Sequence, residues 1–182
     1  MGQVLAGPVR DPRAAALLRR YQERFGGSLQ PPVPVEAVAE DLLGLSVAES
    51  ESLEVSGMLL PAEREVWLNA TEPTPRRRFT LAHELGHWVC QVLEGRGAPV
   101  MCRADEVGVG EGRALEREAN VFAAELLMPE EVVRASFDRT LGGTAVRFDV
   151  SEEAMGWRLY NLGLTAERPG ASGIIPTGGD MR

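Results

Sequence analysis

The stretch FTLAHELGHWVCQVL, residues 79–93, constrains the chain more than any other. Placed on a helix at roughly 100° per residue, Leu81, Leu85, Val89, Val92 and Leu93 cover more than half of the circumference, and Phe79, Gly86 and Cys90 fill most of the remainder. A helix apolar nearly all round is a buried helix. Yet one wedge of it is polar, formed by Thr80, His83, Glu84, His87 and Gln91. Burying such groups is costly unless each finds a partner. The fold around this helix therefore has to supply partners for two imidazoles and a carboxylate.

A divalent cation is an efficient partner. His83 and His87, the only histidines of the chain, lie four residues apart and are neighbours on a helix face, which lets both rings bind one ion. Glu84 points to one side of the pair, where it can reach a water on the ion without displacing a ligand, as in the His-Glu-x-x-His motif. The competing reading is two core histidines bonded to backbone groups.

A catalytic zinc site uses three protein ligands and a water, and no third histidine remains. The third ligand should be a carboxylate or a cysteine. In ALEREANVFAAELLMP, residues 114–129, Leu115, Ala119, Phe122 and Leu126 form the main core stripe. Glu116, Asn120, Ala123 and Leu127 form the stripe beside it, while Glu118 and Glu125 fall on the far side and are expected in solvent. Glu116 is thus an inward-facing acid, either a ligand or the partner of an arginine such as Arg113. Asn120, one turn on, is placed to accept a hydrogen bond from the free ring nitrogen of a ligand histidine. Cys90, three residues after His87, could also touch a metal, but reads more simply as a small buried hydrophobe.

Along the chain, Asp11-Pro12 marks a helix start, with the helix running to Phe25 and stopping at Gly26-Gly27. A second helix spans about 35–43 and ends at Gly44. Strand-like material follows, with GMLL (57–60) and EVWLNA (65–70) reading as a β-hairpin around PAER. Thr74 is a plausible cap for the histidine helix, which ends at Gly95, and residues 95–112 read as a loop. Helices are expected at about 130–137 and at 151–163, the last capped by Ser151. Helices, a small β-unit, then helices again argue for an α+β fold, mostly helical with a small antiparallel sheet. The expected organisation is a flexible N-terminus (1–9), one domain (10–164) and a disordered tail (165–182).

A net charge of −8 argues against direct nucleic-acid binding, which asks for a basic face. The basic run Arg76-Arg77-Arg78 is expected to be solvated or locally paired. The start, MGQVLAGPVRDP, does not read as a signal peptide, and no apolar run is long enough for a membrane span. Cytoplasmic residence is expected, with Cys90 and Cys102 reduced.

Taken together, RFTLAHELGHWV and EREANVFAAELLMP resemble the ImmA/IrrE-type metallopeptidases, whose members include phage and mobile-element regulators and a radiation-response regulator. PVPVEAVAEDLLGLSV and FDVSEEAMGWRLYNLGL resemble the family's flanking segments, so the likeness runs from about residue 30 to 164. The resemblance implies a zincin-type fold and a zinc-dependent peptidase, with manganese or another divalent ion as an alternative metal. Its implied substrate is a helix-turn-helix transcriptional repressor. Residue by residue, His83 and His87 match the ligand histidines, Glu84 the general base and Glu116 the ligand glutamate. The alternative is a non-cleaving regulator that binds a repressor by contact, with a structural metal. Tyr160 and Arg158 are candidates for stabilising an oxyanion, and the strand EVWLNA for pairing with an extended substrate.

Overall fold

The structure, a computed structural model, describes residues 10–96 and 111–169. The expectations for residues 1–9, for most of the 95–112 loop and for residues 170–182 lie outside these. The first helix, α1 (Pro12–Phe25), begins as its sequence dictates: the Asp11 carboxylate accepts from the Arg13 backbone N–H at 2.8 Å, and proline occupies the first turn. Such a cap is worth about 1 kcal/mol. The next helix, α2 (Val35–Ala37), continues as a π turn over Val38–Leu42.

Three strands follow: β1 (Ser46–Ser50), β2 (Gly57–Leu60) and β3 (Glu65–Asn69). β2 and β3 form the expected antiparallel hairpin, with Leu59 opposite Val66 and Gly57 opposite Leu68. β1 pairs parallel to the other side of β3, so the sheet is mixed, in the order β1-β3-β2. A parallel pair needs a crossover between its strands, and here the β2 hairpin strand makes it, a non-local arrangement that short-range patterning does not reveal. Leu59, Val66 and Leu68 are buried on the face turned to the histidine helix.

That helix, α3 (Thr74–His87), runs on into a π turn at Trp88–Val92. Pro73 stands at its N-cap and Thr74 is already helical, with no side-chain cap. Every residue from Thr80 to Trp88 is buried, as a helix apolar nearly all round has to be. The π turn shifts the helical phase after His87. Leu93, which a uniform 100° wheel places in the core, is 60% exposed, while Gln91 is fully buried. The three arginines opening α3 are spent on local partners: Arg76 on Glu72, Arg77 on Glu49, and Arg78 on Asp149 and the Val33 carbonyl.

After the undescribed stretch come α4 (Glu111–Leu127), α5 (Glu130–Ser136), α6 (Leu141–Phe148) and α7 (Glu152–Asn161), the last capped by Ser151. Residues following α7 still pack on it: the Arg168 guanidinium lies 5.4 Å from the Trp157 ring centre. α4 is the principal neighbour of α3. Contacts pair His83 with Asn120, Gly86 with Ala119 and Gln91 with Leu115, an opposite order that makes the two helices antiparallel. α4 is covered on its other side as well. Glu125, expected in solvent, is 6% exposed and accepts from Arg158 of α7 at 2.5 Å. Glu118 accepts from Arg13 and Arg96 at 2.8 and 2.9 Å.

Gly86 sets the spacing of the helix pair. A Cβ placed there would lie 2.8 Å from Ala119 Cα and 2.9 Å from its carbonyl oxygen. Backbone atoms cannot swing aside, so Gly86→Ala should force α3 and α4 apart and cost about 1–3 kcal/mol. Gly112, also helical but with nothing within 4 Å of such a Cβ, is the control. Gly112→Ala should leave stability unchanged or raise it by up to about 1 kcal/mol. Chemical denaturation of the two variants checks both.

Candidate metal centre and active site

The close approach of α3 and α4 delivers one α4 side chain to two α3 rings. His83 Nε2 and His87 Nε2 lie 2.9 Å apart. The two carboxylate oxygens of Glu116 face them, Oε2 3.2 Å from His83 Nε2 and Oε1 3.4 Å from His87 Nε2. Two residues of α3 and one of α4 build this cluster, which is the one group of potential metal ligands found among the described residues.

The far side of each ring decides what the cluster wants. His83 Nδ1 lies 3.0 Å from Asn120 Oδ1, and His87 Nδ1 lies 2.9 Å from Gln91 Oε1. Facing amide oxygens, each Nδ1 is placed to donate, and a neutral imidazole with a protonated Nδ1 has a bare Nε2. Two lone pairs and a carboxylate then converge on one point. In that tautomer nothing in the trio donates, so a positive charge, whether a metal ion or a proton, is what joins the three groups. Ligands of a tetrahedral zinc, at about 2.0–2.1 Å from the ion, stand about 3.3 Å apart, close to the spacing found. The residues fit a divalent ion, with His83, His87 and Glu116 as its ligands, and an N,N,O donor set suits zinc among several metals.

Without a cation, protons take its place. Burial disfavours the His87 cation, but the contacts with Glu116 and Gln91 outweigh it, so the His87 pKa lies above its ordinary 6.5. The two imidazoles, His83 foremost, hold the Glu116 carboxyl down at about 2.

Glu84 is fully buried. Its carboxylate sits beside β2, where a Cβ on Gly57 would lie 3.3 Å from Glu84 Oε1 and collide with the Thr80 methyl group. The absence of a side chain at Gly57 therefore makes the space that the Thr80 methyl group takes, with the Glu84 carboxylate next to it. From there its charge acts on His87.

Other expected residues lie elsewhere. Arg158 is directed at Glu125 and at the Met128 carbonyl, 2.8 Å away, and is part of the packing of α4 on α7. Tyr160 stands edge-on to Trp157. Cys90 is buried with its sulfur 4.0 Å from Asp11 Oδ2, and burial together with that carboxylate pushes its thiol up to about 12. Cys90 is thus the inert hydrophobe that its setting suggests; Cys102 lies outside the described residues. β3 is hydrogen-bonded on both sides, so it has no edge for a substrate strand. Among the described residues, the edge beside α3 that no strand pairs belongs to β2. Asn120, at an exposed position, meets His83 at the rim of the site rather than from the interior. Gln91 was visible in the polar wedge, and its spacing of four from His87 was the available sign of its contact.

Residues 43–160 match the family described as the IrrE N-terminal-like domain, a peptidase family. The chain belongs to that family. Its zincin-like α+β architecture is that of the family, and the His-Glu-x-x-His helix and Glu116 both fall within the matched span. A solved structure of a Mycobacterium tuberculosis transcriptional regulator is similar with a TM-score of 0.60 at 21% identity, covering 86% of this chain and 48% of that one. At that identity the likeness concerns the fold, and the chain spans about half the length of that regulator. No curated protein matches the chain. Among the described residues, no helix is long and apolar enough to cross a membrane.

The cluster predicts about one tightly bound divalent ion per chain, lost in His83→Ala and His87→Ala, as elemental analysis of purified protein can read. A proton on His87 competes with the ion. Because the His87 pKa is raised, affinity should begin to fall above pH 6.5 as the solution is acidified. Glu116, at about 2, stays ionised and adds nothing to this slope. Chelator competition across pH 5.5–8.5 measures it, and an affinity flat across that range would contradict the ligand assignment.

Proposed function

We propose that this chain is a zinc-dependent regulatory endopeptidase of the cytoplasm, acting on a helix-turn-helix transcriptional repressor in stress-response, mobile-element or phage regulation. The observation that carries the reading is the convergence of the Nε2 atoms of His83 and His87 and the Glu116 carboxylate on one point, with the buried Glu84 nearby. His83, His87 and Glu116 would hold the cation, zinc or alternatively manganese. When bound, it supplies Lewis acidity toward a water and the scissile carbonyl.

The remaining chemistry belongs to the chain. Glu84, buried beside Gly57 of β2, takes a proton from the attacking water as the C–O bond forms. It delivers that proton to the leaving amine as the C–N bond breaks. A structural ion would need no such base, which favours a peptidase over a regulator acting by contact alone. The free edge of β2 offers backbone groups to an extended segment, so cleavage should fall in an exposed linker of the repressor. A net charge of −8 favours encounter with a basic DNA-binding protein, a salt-dependent contribution. Loss of repressor dimerisation or DNA affinity would then release transcription; direct contact of this chain with nucleic acid is no part of the proposal.

Glu84→Gln should retain the fold and the metal but lose hydrolysis by about 100- to 10,000-fold, the range of general acid–base catalysis, because the amide cannot accept the proton. The assay is incubation of the zinc- or manganese-loaded protein with the repressor encoded nearest to it, with discrete fragments read by mass spectrometry and Glu84→Gln as control. Equal cleavage by Glu84→Gln would refute the assigned base. Broad degradation of casein with no preference for the repressor would remove the selective regulator and leave the peptidase.

A further inference from the structure

Gln91 is fully buried in the π turn that ends the histidine helix, and its amide is committed at both ends. Its Nε2 donates to the Leu115 carbonyl at 3.0 Å. A backbone carbonyl can only accept, so this bond alone decides which way the amide points, with no reference to the histidine. The oxygen that remains lies 2.9 Å from His87 Nδ1 and can only accept in turn. His87 Nδ1 therefore carries the proton, and His87 Nε2 is left bare toward His83 and Glu116.

Building on the metal reading above, we infer that Gln91 is a positioning residue for the cation: it holds the His87 tautomer and ties that ring to the turn of α4 carrying Glu116. Leu115, which receives the amide N–H, directly precedes Glu116, so one side chain spans the two helices that must meet around the ion. His83 is held differently. Its Asn120 partner occupies an exposed position on α4, where water competes for the Asn120 amide. His87 is the anchored ligand of the pair and His83 the adjustable one.

Three variants test this: Gln91→Leu, which removes both ends of the bridge at similar volume; Gln91→Glu, which keeps the acceptor toward His87 but not the donor toward Leu115; and Asn120→Ala. Three readouts separate positioning from packing. These are melting of the metal-free protein, zinc affinity by competition with a chromophoric chelator, and 15N NMR of the His87 tautomer in metal-free protein at alkaline pH. In the unsubstituted protein His87 should be protonated at Nδ1. Gln91→Leu should show mixed tautomers and zinc affinity weaker by about 10- to 100-fold, the usual effect of removing an outer partner of a metal ligand. Gln91→Glu should keep the Nδ1-protonated tautomer and lose less affinity, and Asn120→Ala should lose less than Gln91→Leu. If Gln91→Leu proves too unstable to fold, the tautomer in Gln91→Glu decides: protonation at Nε2 there overturns the proposal. So does zinc binding by Gln91→Leu equal to that of the unsubstituted protein. Failure of the unsubstituted protein to bind zinc would instead overturn the metal reading, with the NMR tautomer still reporting on the Gln91 contact.

Discussion

Everything at the centre of this protein depends on one contact that lacks a side chain. Gly86 lies against the backbone of Ala119, closer than any Cβ would allow. Without that approach, Glu116 on α4 could not reach the two rings on α3, and Gln91 could not reach the Leu115 carbonyl. With it, two antiparallel helices share a small polar chamber inside an apolar core. The sheet contributes in a similar way, because Gly57 leaves the room that the Thr80 methyl group takes beside Glu84. Two glycines, at positions where a methyl group would meet other atoms, set the dimensions of the chamber.

That chamber is expensive to build. An imidazole buried without a partner costs on the order of 1–3 kcal/mol or more, and this one holds two imidazoles beside the half-buried carboxylate of Glu116. The fold offsets part of that cost with amides: Asn120 and Gln91 each satisfy one ring nitrogen. What they leave behind is the pair of Nε2 atoms facing the Glu116 carboxylate. A cation is the natural completion, and binding energy of that kind is stabilisation of the folded state.

Much of this was legible in the sequence because it is local. A helix apolar nearly all round announces its own burial, Asp11 and Ser151 announce caps, and the phase of α4 turns Glu116 toward the core. What was not legible depends on partners distant in the chain or on a break in periodicity. Glu125 reads as solvated until Arg158, 33 residues on, closes over it. β1 carries no mark of its parallel pairing with β3, since the pattern of one strand does not name its neighbour. Leu93 sits on the core side of a uniform wheel and emerges into solvent because a π turn intervenes. Such turns cluster at functional sites, and this one places the Gln91 amide beside His87.

The central claim is that two imidazoles and a carboxylate, with no sulfur, hold the metal. X-ray absorption spectroscopy on the zinc-loaded protein tests it most directly. The account predicts a first shell of nitrogen and oxygen at about 2.0–2.2 Å with the multiple scattering of two imidazoles, whereas a sulfur shell at about 2.3 Å would place a cysteine among the ligands and contradict it.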